Sequence, residues 1–168
     1  MHRITAVLAA CLLASCLPAP KVAGYRDSAR AISSAALFDP ARFQGDWQQV
    51  AAFGGEGACG VLAETWQADA QGFSVRGTTC RGTGKAGFAT RARMIGPGRM
   101  ARPMRDGTEE IWVLWVDADY RVAAIGTPSG RFGRIIARPG QARADLITAA
   151  RGVLDFNGYD IRRLKLLR

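Results

Sequence analysis

The chain is 168 residues long, with 48% hydrophobic and 22% charged residues, which describes one ordinary globular domain and excludes wholesale disorder. Its 23 Lys and Arg against 14 Asp and Glu give a net charge of +9, which invites anionic partners: nucleic acid, phosphate or an acidic membrane surface. The only histidine is His2, so histidine-dependent triads and histidine metal sites are excluded from the body of the chain, and no metal or cofactor is expected.

Residues 1–15 read as a signal peptide. His2 and Arg3 precede an apolar run over 4–13 that only Thr5 interrupts. That run is too short to span a bilayer, which takes roughly 20 apolar residues, and suits a signal-peptide core. It ends in Leu13-Ala14-Ser15-Cys16, which resembles a bacterial lipoprotein lipobox. The resemblance implies cleavage before Cys16 and lipidation, by palmitate-type chains, of its thiol and new amine. Several acyl chains give stable membrane anchoring. The alternative is an ordinary secretory signal with an incidental cysteine. Leu17, standing where an aspartate would retain the protein, points by analogy with enteric sorting to an outer-membrane lipoprotein facing the periplasm. Residues 16–35 contain Pro18, Pro20, Gly24, Ser28, Ser33 and Ser34, lack a sustained apolar period and predict a lipidated tether ahead of a domain at 36–168.

Short β-type segments then follow one another, punctuated by Gly, Pro, Asp and Asn. The predicted strands are 47–53, 61–69, 72–80, 88–95, 99–104, 110–117, 120–127 and 132–138. Such spacing predicts an all-β barrel or sandwich, and eight strands in up-and-down order close a small barrel. Residues 141–156 break the period of two: Leu146, Ile147, Ala150, Val153 and Leu154 form one helical face, with Gly158 placed to end the helix. That face predicts an α-helix packed outside the barrel, in preference to a membrane-binding face, and a short final strand follows over 160–166. Cys59 and Cys80 remain as an even pair in an exported chain and predict a disulfide, worth about 3 kcal/mol on the chain-entropy model. A metal site on these two thiolates lacks further ligands.

Several motifs carry a family resemblance. The run Phe38-Asp39-Pro40-Ala41-Arg42-Phe43-Gln44-Gly45-Asp46-Trp47 resembles the lipocalin signature, a short helical turn followed by Gly-x-Trp at the first strand. Asp117-Ala118-Asp119-Tyr120 resembles the second lipocalin motif, and Ile135-Ile136-Ala137-Arg138 the third. Val113 to Asp117, Gly126 to Ser129 and Gly158-Tyr159-Asp160 resemble the bacterial outer-membrane branch of the family, within the calycin superfamily. The resemblance implies an eight-stranded antiparallel up-and-down lipocalin barrel, open at one end, that holds a small hydrophobic or amphipathic ligand such as a fatty acid or lysophospholipid. Gly45, Trp47, Asp117, Tyr120 and Arg138 are then structural, with Trp47 plugging the closed end under a cation–π contact from Arg138 worth about 1–2 kcal/mol.

Arg138 points inward in that family, and alternation from it gives candidate ligand contacts. These are Val75 (with Phe73, Gly77 and Thr79), Phe88, Ala92, Met94, Met100, Val113 and Trp115 (with Ile111), Ala124 (with Val122 and Gly126), Phe132 and Arg134. Arg134 inside an apolar cavity needs a partner: a ligand carboxylate or phosphate, an internal acid such as Glu64, or solvent at the mouth. Eight basic residues from Arg76 to Arg105, with no acid among them, predict a basic outer wall: either a solvated face or one attracted to anionic headgroups. Nucleic acid is disfavoured, because the aromatics alternate inward and offer no stacking platform. The leading reading is therefore a binding protein of the cell envelope, not an enzyme. A side-chain-filled barrel with an interaction role is the alternative, and a lipid-modifying enzyme a more distant one.

Overall fold

The computed structural model describes residues 24–167 apart from Ala58 and Asp106, so the expected signal peptide, Cys16 and residues 17–23 lie outside the described residues. All eight predicted strands are present: β1 (Gly45–Phe53), β2 (Leu62–Asp69), β3 (Gly72–Arg81), β4 (Gly84–Gly96), β5 (Arg99–Met104), β6 (Gly107–Val116), β7 (Val122–Gly126) and β8 (Gly133–Ala137). Each pairs antiparallel with the next, and β1 also pairs with β8, which closes the barrel and removes its edges. A ninth strand, β9 (Leu164–Leu166), pairs with Ala51–Phe53 where β1 has left β2. The short helix α1 (Pro40–Phe43) precedes β1, capped by the Asp39 carboxylate, which accepts from the backbone of Ala41 and Arg42.

Helix α2 (Ala144–Phe156) packs outside the barrel. Ala150 and Leu154 are buried and Leu146, Ile147 and Val153 pack beside them, against Leu114, Val122, Ala124, Ile135 and Ala137. The predicted helical face is thus a packing surface. Gly158 ends the helix at a φ of +88°, in the left-handed region that suits glycine. The barrel therefore has two cores. The inner one holds Trp47, Trp66, Phe73, Val75, Met100, Ile111, Val113, Ala123, Ile125 and Ile136; the outer one lies under α2.

Three expectations change. Trp115 and Ala124 belong to the outer core, not the cavity wall. A bulge between Val113 and Trp115 shifts the phase of β6. Ala124 pairs with Ile135 while Ala123 pairs with Ile136, so Ala123 and Ile125 face in and Val122 and Ala124 face α2. Residues 24–35, expected as tether, pack on the barrel. Tyr25 stacks on Phe53 with ring centroids 5.3 Å apart, and its backbone N–H donates to Gly130 O at 2.6 Å. Arg26 donates to Pro128 O at 2.7 Å, Ser33 N–H to the Asn157 side chain at 2.8 Å, and Ala35 N–H to Val113 O at 2.9 Å.

Candidate functional site

The closed end is built as the motifs imply. Trp47 is fully buried, its indole donates to Phe43 O at 2.8 Å, and the Arg138 guanidinium lies 3.9 Å from its ring centroid. Arg138 also donates to Tyr120 O at 3.2 Å, Asp46 O at 3.2 Å, Arg42 O at 2.9 Å and Phe43 O at 3.2 Å. Burial lowers its pKa below the ordinary arginine value, with the Asp46 carboxylate acting the other way. Asp117 organises the β6–β7 turn: its carboxylate accepts from Arg121 N–H at 2.6 Å and Val122 N–H at 2.7 Å and pairs with Arg121 Nε at 2.9 Å. Burial pushes its carboxyl up, but the Val122 N–H and Arg121 outweigh this and hold it below the usual aspartate value. Tyr120 sits at a φ of +58° in that turn, and its hydroxyl accepts from Asp39 N–H at 2.8 Å.

Above this plug the barrel is filled. Trp66, Phe73, Met100 and Val113 are buried together, with Val75 and Ala92 beside them and Met94 packed at the margin. These inward residues fill the lower barrel, and a cavity lies nearer the mouth. That cavity has a volume of about 270 Å³ and is lined by Leu62, Thr78, Thr79, Phe88, Arg102 and Arg134, among others. It lies just under the roughly 300–1,000 Å³ of typical small-molecule sites. Gly77 helps make the wall: a Cβ there would stand 2.5 Å from Ala63 O and 3.0 Å from the Phe88 ring.

Two ion pairs cross the upper interior. Arg134 pairs with Glu64 through both carboxylate oxygens, and Trp66 Nε1 donates to Glu64 Oε2 at 2.9 Å. Arg134 thus meets the internal acid that the sequence offered as one of its possible partners. Its Nε is buried without a hydrogen-bond partner among the described residues. Closer to the mouth, Arg102 donates to Glu109 from Nε at 3.1 Å and from Nη2 at 2.6 Å. Phe132 lies beneath both guanidiniums, at 5.3 Å from Arg102 and 5.8 Å from Arg134. Of the expected contacts, the structure brings Thr79, Phe88 and Arg134 to the cavity, while Phe132 packs against the inner core beneath the Arg102 and Arg134 guanidiniums. Val75, Ala92, Met94, Met100 and Val113 lie in the packed interior below, and Trp115 and Ala124 lie outside.

Arg102 and Glu109 were missed as an interior pair, because Arg102 counted towards the basic wall. The hairpin turn held the signal: Met104 stands opposite Gly107 and Pro103 opposite Thr108, which sets Arg102 opposite Glu109. The wall itself is divided: Arg91 pairs with Asp69, Arg99 covers Trp112 and Arg102 turns inward, while Arg76 and Arg93 stay on the outer face. At the mouth, a disulfide joins Cys59, in the β1–β2 loop, to Cys80 near the end of β3, as expected.

Comparison with known proteins agrees with this architecture. Residues 38–168 match the family model of the lipocalin-like domain. Temperature-induced lipocalin-1 of Arabidopsis thaliana is 27% identical over 142 residues, covering 73% of this chain and 75% of that protein. Lipocalin 12 from rat epididymis superposes with a TM-score of 0.63 at 14% identity, covering 81% of this chain and 88% of that one. Insecticyanin from the tobacco hornworm Manduca sexta gives 0.63 at 14% identity, covering 86% of each chain. Apocrustacyanin C1 gives 0.60 at 13% identity, covering 75% of this chain and 77% of that one. With the signature tryptophan stacked under its arginine and a family match spanning the whole barrel, the chain belongs to the lipocalin family.

Proposed function

We propose that the chain is a lipoprotein of the bacterial outer-membrane lipocalin type, anchored through acylated Cys16, that carries a small amphiphile with an acidic head in the envelope. The cavity under the mouth carries this reading. Leu62 and Phe88 give it an apolar wall, while Thr79, Thr90 and Arg134 offer polar groups. Arg134 already holds Glu64, and its spare buried Nε is a donor that a carboxylate or phosphate would satisfy. At about 270 Å³ the cavity takes part of an acyl chain and leaves the rest at the mouth. Fatty acids and lysophospholipids fit this description, and storage, transport and scavenging are all served by it.

No catalytic role is assigned. Both cysteines among the described residues are joined in the disulfide, and no histidine lies among those residues. The test is native mass spectrometry of the delipidated chain offered fatty acids and lysophospholipids, with displacement of a fluorescent fatty acid as a second readout. One-to-one binding of an acidic amphiphile is expected. Failure to bind any of them overturns the carrier reading and favours the alternative of a filled barrel acting through its surface, for which the packed lower barrel around Trp66, Phe73 and Met100 already speaks. Incorporation of labelled palmitate into the wild-type chain, and its loss in Cys16→Ser, tests the anchor.

A further inference from the structure

The strand directions place the β1–β2, β3–β4, β5–β6 and β7–β8 loops together around the mouth. We infer that this rim is a docking surface for an anionic lipid bilayer, so that the cavity opens towards the membrane. Three observations lead there. The first is charge. Arg81 and Lys85 flank the β3–β4 turn, Arg105 lies in the β5–β6 turn and Arg131 in the β7–β8 loop, while Arg163 and Lys165 stand beside the end of β1; all six are exposed. Among the described residues, Glu56, Glu109 and Glu110 are the acids of the same loops and strand ends, and Glu109 is taken up by Arg102. Among the described residues none of Arg81, Arg105 and Arg131 stands in an ion pair, whereas the charges of the closed end largely face one another. Basic side chains near an anionic surface each add about 1 kcal/mol of attraction, or about fivefold in affinity.

The second observation is apolar exposure on the same rim. Met104, at the end of β5, is 48% exposed, and Leu166, 59% exposed, stands below the rim on the outer wall, opposite Ala51. A side chain placed as Met104 is enters the interfacial layer of a bilayer and reinforces electrostatic attraction.

The third is where the chain enters the barrel. Gly24 sits at the mouth, its carbonyl accepting from Arg163 at 3.2 Å while the next residue bonds to Gly130 of the β7–β8 loop. From there residues 24–35 run along the outside to the closed end, where Ser34 bonds Pro97 O in the β4–β5 turn. Seven residues, or eight Cα-to-Cα steps, separate Cys16 from Gly24, a reach of at most about 29 Å even fully extended. The described chain thus enters the barrel at its mouth. This third argument rests on the acylation proposed above; the rim charge and the exposed apolar side chains do not.

The test uses the full chain carrying Cys16→Ser, so that acyl chains do not mask surface binding. Co-sedimentation is measured with vesicles of equal parts phosphatidylglycerol and phosphatidylcholine, and with phosphatidylcholine alone. The anionic vesicles are expected to bind it and the neutral ones to bind much less. The rim variant Arg81→Ser/Arg105→Ser/Arg131→Ser is expected to lose affinity on the order of 100-fold. The wall variant Arg76→Ser/Arg91→Ser/Arg93→Ser removes the same charge from the side of the barrel. It should stay within about threefold, because charges beyond a Debye length are screened. Equal losses in the two variants, or equal binding to both vesicle types, overturn the inference. A fluorophore on Thr83→Cys, in the β3–β4 turn, should be quenched by lipid-borne quencher, and one on Gln71→Cys, at the closed end, should not; the reverse pattern also overturns it. Fatty-acid binding by the same proteins in vesicle-free solution keeps the two proposals apart. Loss of that binding alone sinks the carrier reading, and loss of vesicle binding alone sinks this one.

Discussion

The two ends of the barrel are made from the same eight strands and treat charge in opposite ways. At the closed end Arg138 lies on Trp47 and is held by four backbone carbonyls, Asp117 is surrounded by donors, and Arg42 bonds Ala118 O at 2.7 Å over the Tyr120 ring. These groups fix the turn, the plug and the short helix in one arrangement. At the mouth, a cavity replaces the plug, two ion pairs stand inside it, and the outer cations point to solvent. Side-chain hydrogen bonds and ring contacts are concentrated at the closed end. The end left open to a ligand is stapled by a disulfide instead of being packed shut.

The sharpest way to break this contrast is at the Arg134–Glu64 pair, which sits between the two regions. The Arg134 and Glu64 side chains are only 10% and 2% exposed, so Arg134→Leu leaves a buried carboxylate without its counter-ion. Breaking such a pair costs about 3–5 kcal/mol, whereas replacing both partners by apolar residues is often near neutral. Urea denaturation should therefore rank Arg134→Leu far below wild type and Arg134→Leu/Glu64→Leu close to it. A double variant as unstable as the single one would show that the pair does not govern the effect. Ligand affinity is best compared in the double variant, where the loss of the guanidinium is not confounded by unfolding.

Next in size is a matched pair of arginines, one at each end. Arg138→Leu removes the cation–π contact and four hydrogen bonds to carbonyls, and should cost about 3 kcal/mol. Arg102→Leu releases a more exposed pair with Glu109, at 24% and 12% side-chain exposure, and should cost about 1–2 kcal/mol. Equal losses in thermal and denaturant melts would mean that the mouth is as rigid as the plug. The disulfide bears on the same comparison. Cys59→Ser/Cys80→Ser frees a loop of 21 residues' separation at the mouth and should lower stability by about 3 kcal/mol. Hydrogen exchange in that variant should rise in the β1–β2 loop and at the end of β3, and stay unchanged around Trp47.

Much of the closed end was legible in the sequence because its parts are local. Asp39 and Pro40 start α1 within the same short run that holds Trp47, and the carboxylate of Asp117 caps donors two to five residues further on. The upper barrel is governed by register, which a single strand does not reveal. In β7 and β8 every residue is buried, one face inward and one under α2, so an apolar run gives no sign of which side Ala124 takes. In β6 one bulge reverses the face of Trp115. Residues 24–35 have the composition of a linker. What holds them is distant in the chain: Phe53 for Tyr25, Asn157 for Ser33 and Val113 for Ala35. The helix was legible apart from its start, which lies at Ala144 and not at residue 141, because a period of 3.6 with one apolar face has a single meaning beside a barrel.

The smallest expected effect tests the closed end by pH. Asp117 is 4% exposed and its carboxyl is held below the ordinary value of 3.8, so the folded state binds a proton there less readily than the unfolded chain does. Its contribution is therefore complete above about pH 4 and is lost as pH falls through the lower, folded value. Asp117→Asn keeps an oxygen for the Arg121 and Val122 amides but not the charge that faces the Arg121 guanidinium. At neutral pH it should be less stable than wild type by about 1 kcal/mol, and the gap should close as the solution is acidified below pH 4. Denaturant midpoints for the two proteins across that range decide the matter. A gap that persists at the acid end would assign the loss to altered turn geometry and not to the charge, and would place the rigidity of this end in its aromatic plug alone.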